Sequence, residues 1–144
     1  MTLKAKYKDT NLSNRDRAAA LLAEMTVEEK VAQIGAIWVS DLMTTSRKLI
    51  IESAQEKIPN GIGHITRIGA VGMVDPVDSA TLANSIQKFL VEQTRLGIPA
   101  IVHEESCAGY TAKGATSFPQ AIGAASTWEP ELVKKMGEII RKQM

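Results

Sequence analysis

Apolar and polar positions follow two rhythms along this chain, a helical one that dominates and a short extended one that interrupts it twice. After a polar arm over residues 1–12, Ala18, Leu21 and Leu22 recur on one side at helical spacing. They predict a helix from Asn14 to Glu24, capped by Ser13. Thr26-Val27-Glu28-Glu29 is a capping box, in which the hydroxyl takes the backbone N–H three residues on and Glu29 reaches back. It opens a second helix whose apolar stripe runs through Val31 and Ile34 to Trp38. From Ser40 to Asn60 the pattern is faint. Leu42, Leu49, Ile50 and Ile58 imply some burial, with a helical stretch over 47–55. Pro59-Asn60-Gly61 marks a turn, residues 61–66 read as a short strand with glycines for close packing, and residues 69–74 read as a flexible loop.

Asp75-Pro76 starts a long helix, a capping carboxylate followed by proline at the first helical position. Val77, Leu82, Ile86, Phe89 and Leu90 form its buried face, Gly97 ends it, and Pro99 blocks continuation. The apolar run from Ile98 to Val102 reads as a buried strand. Strand, helix, strand is a βαβ unit, which requires the two strands to be parallel. Residues 119–125 read as a short helix or turn. A last helix from Glu131 to Met144 puts Leu132, Val133, Met136, Ile139 and Ile140 on one stripe, with no later strand to receive it.

Composition narrows the class. In 144 residues, 44% are apolar and 4% aromatic, an Ala/Ile/Leu/Val/Met diet that suits an α/β core better than a β-sandwich. A net charge of +1 gives no steering toward nucleic acid, and no apolar run approaches the roughly 20 residues that span a bilayer. Neither a nucleic-acid nor a membrane partner is expected. Met1 to Lys8 is not followed by an apolar leader segment, and the one cysteine, Cys107, has no internal partner. Both fit a cytoplasmic setting.

The chemistry gathers in His103-Glu104-Glu105-Ser106-Cys107-Ala108-Gly109, where a strand hands over to a loop. In sheets with helical crossovers, ligands bind at that end of the strands. Glu104 and Glu105 are a tempting pair for glycosidic hydrolysis, which uses carboxyls about 5–5.5 Å apart in retaining enzymes. Neighbours in an extended stretch point to opposite faces, so these two do not converge on one bond. Glu104 is read as a structural carboxylate, His103 as a strand-end histidine that is buried or pocket-lining, and Cys107 as a small core residue. Tyr110 and Trp128 are read as packing aromatics. His103, Glu104 and His64 lack His-Glu-x-x-His spacing, so no metal is expected, and nothing calls for a cofactor.

Four blocks carry a resemblance: residues 25–33 (MTVEEKVAQ), 61–67 (GIGHITR), 95–109 (RLGIPAIVHEESCAG) and 114–133 (GATSFPQAIGAASTWEPELV). In this order and spacing they resemble the N-terminal part of glycoside hydrolase family 3, especially its β-glucosidases and β-xylosidases, from about Leu21 onward. The resemblance implies an α/β fold: N-terminal helices and about two βα units, the opening part of a (β/α)8 TIM-like barrel of about 250 residues. It implies a retaining, exo-acting O-glycosyl hydrolase acting on small oligosaccharides or aryl glycosides, without cofactor. The family's nucleophilic aspartate, its acid/base glutamate and its lysine-histidine motif have no counterpart in these residues. The chain is therefore expected to be an inactive fragment, to associate with the rest of the barrel or with itself, or else to act as a binding module or half of a split enzyme.

Counted from Gly109, Glu105 matches the family position where β-glucosidases carry an aspartate that binds distal sugar hydroxyls. Glutamate reaches about 1.3 Å further and fills the space of a hexose hydroxymethyl group. The resemblance thus favours a pentose, β-xyloside or arabinoside, over glucose. Arg67, His103 and His64 are further candidates to line the sugar site. Residues 114–119 are read as a shaping loop, with Phe118 in the core.

Overall fold

The protein is described by a computed structural model over residues 5–71 and 75–144. Among the described residues it is an α/β structure with a small parallel sheet and six α-helices. In chain order these are α1 (Asn14–Glu24), α2 (Val27–Ile34), β1 (Ala36–Trp38), α3 (Ile51–Lys57), β2 (His64–Thr66), α4 (Pro76–Gln93), β3 (Ile101–His103), α5 (Ala121–Ala125) and α6 (Pro130–Gln143). The strands lie in the order β1-β2-β3. Ala36, Ile37 and Trp38 stand opposite His64, Ile65 and Thr66, which in turn stand opposite Ile101, Val102 and His103.

Both predicted helix starts at the N-terminus hold. The Ser13 side chain accepts from the Asp16 N–H, and both halves of the Thr26–Glu29 capping box form. Trp38 does not continue the second helix. Gly35 turns to extended backbone after α2, and residues 36–38 join the sheet as a third strand. The stripe assigned to α2 is largely solvent-facing, with Ile34 85% exposed, and the buried residue of that helix is Glu29. The expected helix over 47–55 begins later, at Ile51, because residues 43–49 form a tight reversal. In it the Thr44 N–H donates to the Lys48 carbonyl, and Met43 bridges Leu49. Residues 72–74 of the expected flexible loop lie outside the described residues, as do residues 1–4 of the terminal arm.

The long helix α4 buries Leu82, Ile86, Phe89 and Leu90 as expected, but leaves Val77 exposed. Asp75 does not cap it by side chain; its carboxylate pairs with Lys113 at 3.1 Å. The helix ends at Gln93, before Gly97, where the Thr94 hydroxyl donates to the Leu90 carbonyl. The βαβ unit exists and its strands are parallel. Its second strand is not buried. Ile101 is 62% exposed, since by register it lies on the face of the sheet opposite the packed core.

One face of the sheet carries Ile37 and Ile65, which pack with Val39, Leu42, Ala54, Ile58, Leu82, Ile86, Phe89 and Leu90. By register the opposite face carries Ala36, Trp38, His64, Thr66, Ile101 and His103. The last helix leaves its apolar stripe largely outward, burying Ile140 while Leu132, Val133 and Ile139 stay exposed.

A clasp ties the helical N-terminus to the end of α4. Arg95 donates from Nε and Nη2 to both Glu29 oxygens and from Nη2 to the Glu24 carbonyl. These hydrogen bonds, with the Thr26 N–H, hold the Glu29 carboxyl below the usual carboxylate range against the opposing effect of burial. The folded value therefore lies below the unfolded one. The stabilisation is complete above the unfolded value and is lost as pH falls through the folded one. Arg95 is half in solvent, so E29Q is expected to cost only about 1 kcal/mol near neutral pH, and to flatten the acid limb of a plot of Tm against pH. Parallel limbs for wild type and variant would contradict this assignment.

Candidate functional site

The C-terminal ends of the three parallel strands lie side by side, and each contributes a polar or aromatic side chain there. Trp38 is the last residue of β1, Arg67 follows β2 directly, and Glu105 lies two residues beyond β3. The guanidinium carbon of Arg67 sits 5.6 Å from the Trp38 ring centroid, within cation–π range. Its Nη1 is 3.2 Å from Glu105 Oε2. The Glu105 side chain is 58% exposed and that of Arg67 26%, so the pair stands at an open rim rather than in packed interior.

The local backbone explains this convergence. Strict alternation along β2 would send Arg67 to the helix-covered face with Ile65. Instead Arg67 adopts a left-handed conformation, φ +62°, which breaks the alternation. Two hydrogen bonds hold it there: its N–H donates to the His103 carbonyl at 2.9 Å, and its carbonyl accepts from the Val71 N–H at 3.0 Å. Left-handed backbone in a residue with a Cβ costs about 1 kcal/mol or more.

The two adjacent carboxylates diverge, as extended geometry requires. Glu104 turns the other way and accepts the Gly69 N–H at 2.6 Å, with its second oxygen buried and without a hydrogen-bond partner among the described residues. Tyr110 packs beside it. Burial, then the Glu104 carboxylate, pushes the tyrosine hydroxyl above its ordinary value. A cleft of about 480 Å³ opens on that side, between Ala80 and Ala83 of α4, the loop after β3 and Gln143 of α6. Its walls include Glu104 and Tyr110 but not Glu105, Arg67 or Trp38, so the polar rim and this cleft are separate features. The rim is the stronger candidate site, because it converges a charge pair and an aromatic ring at the strand ends.

His103 is half-buried with its ring edge-on to His64 at 5.9 Å, and its Nδ1 has no hydrogen-bond partner among the described residues. It lies next to the rim: its carbonyl accepts the Arg67 N–H, while its ring makes no hydrogen bond or ion pair with Glu105 or Arg67 among the described residues. Cys107 is exposed, not a core residue. Trp128 is 90% exposed, and Phe118 is half-buried against Gly109 rather than in the main core. Trp38 is the residue that sequence reasoning misplaced. The signal was present in Gly35, which stops the helix short of it. Among the described residues no group of three or more metal-ligating side chains converges.

Residues 26–144 match the family model described as glycosyl hydrolase family 3 N terminal domain. The chain is 31% identical over 140 residues to a protein of Formosa agariphila named "Putative beta-xylosidase", covering 95% of this chain and 18% of that one. It is 30% identical over 148 residues to "Probable beta-glucosidase C" of Aspergillus oryzae, covering 95% and 23%. It is 25% identical over 150 residues to "Periplasmic beta-glucosidase/beta-xylosidase" of Dickeya chrysanthemi, covering 95% and 22%. The chain thus spans about a fifth of the length of these curated relatives.

Proposed function

This chain belongs to glycosyl hydrolase family 3, within its N-terminal domain, and on that premise we propose that it forms the opening of a (β/α)8 barrel in a retaining, exo-acting β-xylosidase or β-glucosidase. Its part is to hold the non-reducing end of the sugar. The observation that carries this reading is the Glu105 carboxylate, exposed at the strand ends and braced by Arg67. A carboxylate in that place accepts hydrogen bonds from two sugar hydroxyls, and charge-assisted bonds of that kind are short and directional. Binding energy at the far rim of the ring serves to hold the reacting end in place. Arg67 and His103 shape the same rim.

Bond cleavage needs a nucleophile and an acid/base, and those are assigned to other parts of a longer polypeptide. The exposed outer edge of β3 and the outward stripe of α6 support this, since both are surfaces that further βα units would cover. The names of the relatives include both β-xylosidase and β-glucosidase. The length of Glu105 favours the pentoside, because the extra methylene fills the space of a hexose hydroxymethyl group. Assay of the full-length enzyme on nitrophenyl β-xyloside and β-glucoside tests this. A kcat/KM for xyloside about tenfold the higher is expected, on the scale of one methylene in a fitted pocket, and a marked preference for glucoside would overturn the pentoside assignment.

A further inference from the structure

We infer that Trp38 is a positioning residue for Glu105 that acts through Arg67; this rests on the sugar-binding reading above. The Glu105 side chain is 58% exposed, and left alone it would sample several rotamers, all but one of which would be lost on binding. Its ion-pair partner among the described residues is Arg67. Arg67 Nε is buried with no hydrogen-bond partner among the described residues, so the guanidinium is placed by the Trp38 ring on one side and by Glu105 on the other.

The backbone is built to the same end. The left-handed turn at Arg67 costs energy, yet it is pinned to β3 by the bond to the His103 carbonyl. Without that turn the side chain would leave the face on which Trp38 stands. An exposed ion pair alone would restrain Glu105 weakly, since solvent screens it and long side chains resist ordering. The ring, 46% exposed, supplies what the pair lacks, an apolar wall that limits where the guanidinium can go and is little affected by salt. Arg67 engages Oε2, which leaves Oε1 and a second lone pair of Oε2 to the sugar hydroxyls. Three consecutive strands therefore act as a relay: β1 places the ring, β2 the cation, β3 the carboxylate that meets the sugar.

A double-mutant cycle in the full-length enzyme tests the relay, with W38L, E105Q and the pair assayed on nitrophenyl β-xyloside. W38L is expected to raise KM about tenfold with kcat changed by less than about twofold, W38F to recover most of the loss, and W38L to add less than about twofold in the E105Q background. An equal cost of W38L in both backgrounds would overturn the inference, placing Trp38 directly against the sugar or in the fold alone. If E105Q itself leaves KM unchanged, the sugar-binding reading fails, and that result is distinct. Should W38L not fold, the 144-residue chain carrying W128F reports the same coupling through Trp38 emission. E105Q and R67K are each expected to shift it, and an unchanged spectrum with both would overturn the relay.

Discussion

Glu105→Ala in the full-length enzyme lowers kcat/KM for a β-xyloside by about a hundredfold to a thousandfold, with most of the loss in KM. The estimate follows from two charge-assisted hydrogen bonds, each worth about 1.5–2 kcal/mol at an exposed rim when one partner is removed. The loss is not offset by relief of a buried charge, because Arg67 keeps access to solvent and to the Trp38 ring once Glu105 is gone. Glu105→Asp withdraws the carboxylate by about 1.3 Å. It is expected to shift the ratio of xyloside to glucoside activity about tenfold toward glucoside, because room for a hydroxymethyl group returns. Steady-state kinetics on both substrates reads both effects, and an alanine variant within a few-fold of wild type would remove Glu105 from the site.

Gly63→Ala is the substitution expected to damage the fold most. A Cβ at Gly63 would lie 2.0 Å from the Gln33 carbonyl oxygen and 2.7 Å from its carbon, and both are backbone atoms that cannot rotate away. The same residue joins the sheet to what precedes it. Its N–H donates to the Ala32 carbonyl at 3.0 Å, and its carbonyl accepts from the Ile101 N–H at 2.8 Å. Moving the chain to admit a methyl group would break one or both bonds and part α2 from the start of β2. A loss of about 3 kcal/mol or more is expected, read as a lowered denaturation midpoint. Gly137→Ala in α6, where nothing lies within 4 Å of the added Cβ, is the control and should be neutral or slightly stabilising. Similar midpoints for the two variants would contradict the close approach at Gly63.

These residues also show why parts of the molecule were legible in the sequence. The capping box at Thr26–Glu29 and the proline at the first position of α4 are local chemistry, so both helices begin where the sequence predicts, although Asp75 does not supply the expected side-chain cap. The buried face of α4 is legible for the same reason, since its period of 3.6 repeats over Leu82, Ile86 and Phe89. Trp38 was misplaced because a three-residue strand is too short to display alternation, and what makes it a strand is pairing with residues 64–66, distant in sequence. The exposure of Ile101 was hidden for a related reason. An apolar run looks the same in a strand covered on both faces and in one covered on a single face, and only what packs on the sheet distinguishes them. In the candidate site, the divergence of Glu104 and Glu105 follows from backbone geometry alone. The contact of Arg67 with Trp38 does not, because it depends on a left-handed turn at a residue whose type gives no hint of one.

The central claim is that the Glu105 carboxylate accepts a hydroxyl at the far rim of the sugar ring. The most direct measurement is kcat/KM for wild type and E105A on nitrophenyl β-xyloside and on its 4-deoxy counterpart. The account predicts that wild type prefers the hydroxylated substrate by about a hundredfold, and that the preference falls to a few-fold in E105A, since the hydroxyl then has lost its partner. Equal discrimination by both enzymes would contradict it.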